Sequence, residues 1–324
     1  MKYTSLTTLT FLVAGLISAS MGYAQQNNNY PEKPVRVIIP FPPGGTLDKV
    51  GRMLALRLGE QLGQNFYVEN KPGGNGVIGA DLVAKASNDG YTLLFNASTF
   101  VTAPLTMKSV PYKVQTDFSP IGLVAIAPLS IAVNNQLGIS SLKGLIDYSK
   151  THPDSLNFAV GSIGSAGHLC TVKLEQALGS TISIVAYKGT SPALIDLVGG
   201  QIDGFIDPVL GSVQFYKGGK LKILAVTSSN RLPSLPEVAG AAETIPGFAC
   251  SSWYGLWGPA KLQSDISKKL NNAINKALES DMRGRLLNDG IFSAGGSEAD
   301  FAKFQSNEIT NASKIISDKK ISVE

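Results

Sequence analysis

Short apolar runs of β type alternate with helical segments through most of the chain. That alternation confines it to parallel strands joined by crossover helices. Residues 35–40 (VRVIIP) read as a buried strand, and over 47–63 Val50, Leu54, Leu58 and Leu62 recur at helical spacing. Residues 65–69 (NFYVE) predict a second strand, 80–86 a short helix and 91–95 (YTLLF) a third strand, with 96–101 as a loop. A long β-type tract follows over 121–133, passing Pro128, and a helix is expected to start near Ser140 or Ser141.

The alternation then resumes. Strands are predicted over 156–160, 182–186, 203–206 and 221–227, with helices over 168–178 and 192–198. Beyond Ser251 comes one strand (SWYGLW) and then helices. Ile266, Leu270, Ile274 and Leu278 share one face, and Ser297 with Asp300 has capping-box spacing. The C-terminal third holds too few strands for a sheet of its own, so it is expected to return to the first unit. The fold class that follows is α/β and two-lobed, with 25–127 and 228–324 in one lobe and 128–227 in the other. Its crossings would lie at 121–133 and 221–227, and its ligand would sit in a cleft that closes by hinge motion.

The N-terminus bears on compartment. Lys2, the apolar run Leu9 to Ile17 and the small residues ending Gly22-Tyr23-Ala24 read as a signal peptide over 1–24, cleaved after Ala24, giving an exported protein. The apolar run is shorter than a membrane-spanning helix requires. Charged residues are only 16% of the chain, and the net charge of +4 comes from scattered cations, which argues against a nucleic-acid partner. The two cysteines, Cys170 and Cys250, could form a disulfide or stand as separate small buried residues, and they make no metal site.

Two glycine-rich turns follow strands and open helices: Phe41 to Asp48 (FPPGGTLD) and Gly161 to His168 (GSIGSAGH). Glycine admits close backbone approach, and the free N–H groups of a helix start can hold an anion. A third turn, Gly74 to Gly79, spells G-x-G-x-x-G, but the next strand ends in Asn96 without the acid a dinucleotide ribose needs, so no cofactor is expected. Ser162 and Ser165 fall outside G-x-S-x-G, because Val160 and Ile163 stand two positions before them. His168, three residues after Ser165, reads as a turn-fixing or ligand-touching residue. Its alternative is an exported hydrolase or isomerase built on Ser165 and His168. A weaker third reading is a surface interaction protein with an empty cleft.

The ordered segments VRVIIPFPPGG with Asp48, VENKPGGNGVIGA, DGYTLLF, PYKVQTDFSPIGLVA, GSIGSAGH, YKGTSPALIDLVGGQID, KLKILAVTSSNRLPSLPEVAGAAE and SSWYGLWGPA resemble the Bug family. Its members are the periplasmic solute receptors, of TctC type, of tripartite tricarboxylate transporters. The resemblance implies a Venus-flytrap binding protein rather than an enzyme, a monomer that captures a small organic anion or acidic amino acid. It would serve membrane permease subunits or the ectodomain of a sensor kinase. The first pincer implied is Phe41, Gly44, Gly45, Thr46 and Asp48. The second is Ser162, Gly164, Ser165, Ala166 and His168. Ser98, the turn Tyr187, Lys188, Gly189 and Thr190, and Asp207 would support them. None of these segments contains Arg, so a carboxylate would rest on helix N-termini and hydroxyls. The chain departs from the family at Leu47, at Ile163 and in residues 96–101, which lack a His common among relatives.

Overall fold

The computed structural model describes residues 29–323; the expected leader 1–24 and its cleavage point lie outside them. The first unit runs β1 (Val35–Ile39), α1 (Thr46–Leu62), β2 (Phe66–Asn70), α2 (Val77–Ala84), β3 (Thr92–Ala97) and α3 (Thr99–Thr106). Val50, Leu54 and Leu58 of α1 are buried against Val35, Val37 and Phe95, as the helical spacing requires. Strand β1 pairs in parallel with β2 and β3. β3 and α3 between them replace the loop expected at 96–101, β3 taking Asn96 and Ala97 and α3 starting at Thr99. The α3 sequence, TFVTAPLT, is rich in β-branched residues and carries Pro104, so propensity gives no helical signal. Burial of Phe100, Val101 and Ala103 beside Tyr112, Phe118 and Trp257 fixes it instead.

The 17-residue β4 (Phe118–Asn134) then carries the chain across. The second unit runs α4 (Leu142–Thr151), β5 (Leu156–Val160), α5 (Ala166–Leu178), β6 (Ile182–Ala186), α6 (Thr190–Val198), β7 (Gly204–Pro208), α7 (Val209–Lys217) and β8 (Leu221–Val226). Ser141 caps α4, its side chain accepting from the Gly144 N–H. Strand β5 pairs in parallel with β6 and β7. The chain ends with β9 (Ser251–Pro259), α8 (Ser264–Glu279), α9 (Asp281–Asn288), β10 (Phe292–Ser293) and α10 (Glu298–Asp318). The expected α8 face is buried at Ile266, Leu270, Ile274 and Leu278. The capping box of α10 is reciprocal between Ser297 and Asp300. The Nε1 groups of Trp253 and Trp257 donate to Glu308 and Gln305 at 2.9 and 2.8 Å, binding α10 to β9.

One mixed sheet threads both units in the order β2-β1-β3-β9-β4-β7-β5-β6, with β8 and β10 also paired to β4. Strand β4 belongs to both halves. Through Pro128 it pairs antiparallel with β9, and from Leu129 onward with β7 and β8. Proline has no N–H for a ladder, so it suits the point where partners change.

The second crossing differs from expectation. β8 pairs only with Ser130–Asn134 of β4 and stays in the second unit. The chain after it stays there too: Leu232, Leu235 and Val238 pack with Ala159, Leu197 and Ile223, and Phe248 packs with Phe158 and Leu174. The return is made by β9, just after Cys250. Cys170 on α5 and Cys250 form a disulfide, with Cα atoms 5.9 Å apart, tying the end of this segment to the second unit. A strand of LKILAVT composition reads the same whether it crosses or stays, because its partners are not written in its own pattern.

Candidate ligand-binding cleft

The first glycine-rich turn is locked from within. The Asp48 carboxylate is buried and accepts from the Gly44 N–H at 3.0 Å, from Arg52 Nε at 3.0 Å and from Asn70 Nδ2 at 2.9 Å. Burial opposes its charge, but the bonds from Arg52, Gly44 and Asn70 outweigh it and hold the carboxyl below the usual carboxylate range. Gly44 has φ 90°, a conformation that favours glycine. With Gly45 as N-cap, the first amides of α1 have no partner within the helix.

The second turn is built the same way with different atoms. Ser165 Oγ caps α5 by accepting the His168 N–H at 3.2 Å, and His168 Nδ1 accepts the Gly164 N–H at 3.0 Å. Burial lowers the imidazole pKa to about 4, so the ring is neutral, with Nδ1 as acceptor. Its Nδ1 faces Gly164 rather than Ser165, which leaves no Ser165–His168 nucleophile pair. At Gly167 a Cβ would stand 2.1 Å from the Ile206 carbonyl oxygen, so only glycine lets α5 abut β7 here.

The two turns and the start of α6 enclose a cavity of about 80 Å³. Thr46, Leu47 and Asp48 line it from α1, Ala166 and Gly167 from α5, and Thr190 and Ser191 from α6, while Pro208 caps α7 at its wall. With Thr99 at the start of α3, five helix N-termini therefore converge on one space, and among the described residues no Lys, Arg or His lines it. Of the residues expected from sequence, Phe41, Gly45, Thr46, Asp48, Ser162, Ser165, Ala166, Gly189, Thr190 and Asp207 face the cavity. Gly44, Gly164 and His168 shape the turns without lining it. Tyr187 turns away and donates to Asp196 Oδ2 at 2.7 Å, Lys188 is exposed, and Ser98 lies on the other side of the sheet. Ile163 points elsewhere, whereas Leu47 does reach the cavity.

Sequence reasoning missed Ser252 and Tyr254 of β9, which also line the space. Period-two alternation in SSWYGLW could have paired them on one face. The other face of the same strand, Ser251 and Trp253, looks into a separate groove of about 550 Å³ that is also walled by α3, α5 and α10. Asp207, near the end of β7, is bonded by the Thr190 side chain, yet its buried Oδ2 has no partner. Burial pushes its pKa up to about 7.

The pincers also touch across the units. Asn75, in the G-x-G-x-x-G turn, donates from Nδ2 to the Ile163 carbonyl at 2.9 Å and accepts from Ser162 Oγ. Thr102 Oγ1 donates to the Gly164 carbonyl at 2.8 Å. The third glycine turn is thus an interlobe contact.

Two α/β lobes joined by paired crossing strands, with helix starts facing each other over a small cavity, define a solute-binding protein of the periplasmic type. The sequence model of the tripartite tricarboxylate transporter family receptors matches residues 50–321, and the chain belongs to that family. Among its relatives, protein BugT of Bordetella pertussis is 38% identical over 276 residues, covering 83% of this chain and 84% of BugT. The periplasmic binding protein BugD superposes with a TM-score of 0.85 at 33% identity, over 91% of this chain and 100% of BugD. R. palustris Rpa4515, solved with adipate, gives 0.87 at 33% identity, over 90% of this chain and 99% of its own. Family members are receptors rather than enzymes. Among the described residues no helix is long and apolar enough to cross a membrane.

Proposed function

We propose that this receptor captures a small carboxylate-type solute, an organic acid or an acidic amino acid, in the cleft between its lobes. The observation that carries the reading is the convergence of the starts of α1, α3, α5, α6 and α7 on a cavity lined, among the described residues, by no cationic side chain. Unpaired amides and aligned dipoles there suit a carboxylate. The adipate in Rpa4515 is consistent with that ligand chemistry.

The lobes comprise 29–127 with 251–323, and 128–250, and they close on the solute about β4 and β9. The Asn75 and Thr102 contacts belong to the closed form, and the solute favours it because it binds that form more tightly. After cleavage at Ala24 the receptor acts as a periplasmic monomer. The closed form is presented to permease subunits of a tripartite transporter, with delivery to a sensor kinase ectodomain as the second use.

Native mass spectrometry of the purified protein, then calorimetric titration of the stripped protein, tests this. The panel holds aspartate, glutamate, citrate, C4–C6 diacids and pyridine carboxylates. Saturable one-to-one binding without turnover is expected; no binding by any member overturns the reading. Loss of uptake on deleting the permease subunits separates transport from sensing.

A further inference from the structure

We propose that Asp207 is the specificity-determining residue of the cleft, and that the solute bears a hydrogen-bond donor, an amino or hydroxyl group, beside its bound carboxylate. This rests on the carboxylate reading and narrows it.

Two carboxylates border the cavity, and their situations are opposite. Asp48 is fully engaged by Gly44, Arg52 and Asn70 and has nothing left to offer a ligand. Asp207 receives one bond, from Thr190, and its Oδ2 is buried without a partner. A buried acceptor left unmet is costly, and more so when it carries charge.

Hydroxyls of Thr46, Ser252 and Tyr254 border the same cavity, yet none of them is bonded to Oδ2. Among the described residues no cationic side chain lines the cavity, and the site Oδ2 approaches on α7 is Gly211, where an added Cβ would lie 3.4 Å away. The terminal torsion of an aspartate is broad and two-fold, so either oxygen can turn to the cavity. In its carboxylate form Asp207 is thus left for a donor that arrives with the solute. A plain diacid brings only acceptors in its ionised form, whereas a 2-amino or 2-hydroxy acid brings a donor next to the carboxylate that the helix starts hold.

Matched triads test the inference by calorimetry on the stripped mature protein. They are succinate, malate and aspartate; glutarate, 2-hydroxyglutarate and glutamate; and adipate with its 2-hydroxy and 2-amino forms. A donor-bearing member is expected to bind about tenfold or more tightly than its plain diacid, the size of one hydrogen bond to a charged group. That ratio should collapse for the amino member in Asp207→Asn and for both donor-bearing members in Asp207→Ala. Equal or tighter binding of the plain diacid in every triad overturns the inference and leaves the carboxylate reading standing, as does a ratio that survives both substitutions. Failure of every acid to bind removes both.

Discussion

His168 and Asp207 are both held out of water near the cleft, and their titrations act on stability in opposite directions. The folded imidazole has its pKa lowered to about 4 by burial, so the unfolded chain takes up the proton first. Its contribution is whole above the unfolded value of about 6.5 and is lost as pH falls toward the folded one. The loss amounts to about 3 kcal/mol at most. His168→Asn, whose amide oxygen can still accept the Gly164 N–H, should flatten that slope in denaturant titrations run across the window. Asp207 is raised to about 7, so here the folded state keeps its proton longer and stability falls as pH rises from about 4 to about 7. Ligand-free Asp207→Asn should therefore melt a few degrees above the parent near about pH 8 by scanning calorimetry. A lower melting temperature would count against an unmet carboxylate. From sequence, Asp207 was named as a supporting residue through the family resemblance, but its missing partner was hidden, since that depends on α6 and α7 meeting beside it.

At the scale of elements, the close approach of α5 to β7 and the latch from the Asn75 turn are both open to test. Gly167→Ala places a Cβ against the Ile206 carbonyl and should destabilise the chain by about 1–3 kcal/mol in urea unfolding. Unchanged stability would mean that α5 can shift without penalty. Asn75→Ala removes two polar contacts between the lobes but touches no cavity wall. Solute affinity should drop about three- to tenfold by calorimetry, with the melting temperature of the ligand-free protein little changed. The strands and amphipathic helices were legible because burial writes a period into sequence, as at Val50, Leu54 and Leu58 or along α8. α3 was not, for its Thr and Val residues and Pro104 favour no helix and only the aromatic cluster around Phe100 imposes one. The latch was equally hidden: G-x-G-x-x-G describes a backbone shape, and Asn75 gains its role from the turn that faces it.

For the whole molecule, alternating strands and helices disclosed two α/β units and the role of β4, but not the second crossing. Residues 228–250 carry a mixture of turns and scattered apolar side chains, and their lobe is settled by contacts far away in sequence, including the disulfide across 80 positions. Closing so long a loop restrains the unfolded chain, so replacing both Cys170 and Cys250 with Ala should lower stability by about 2–4 kcal/mol. Binding should survive, because neither cysteine lines the cavity.

Strand β9 has the cavity on the side of Ser252 and Tyr254 and the larger groove on the side of Ser251 and Trp253. In the proposed closure, a wall one strand thick placed where the lobes pivot would make the two spaces act like the pans of a balance. Closure that narrows the front would then widen the back. Occupancy of the cavity would thereby be displayed as a change of shape on the opposite surface, where a protein that never meets the solute could read it.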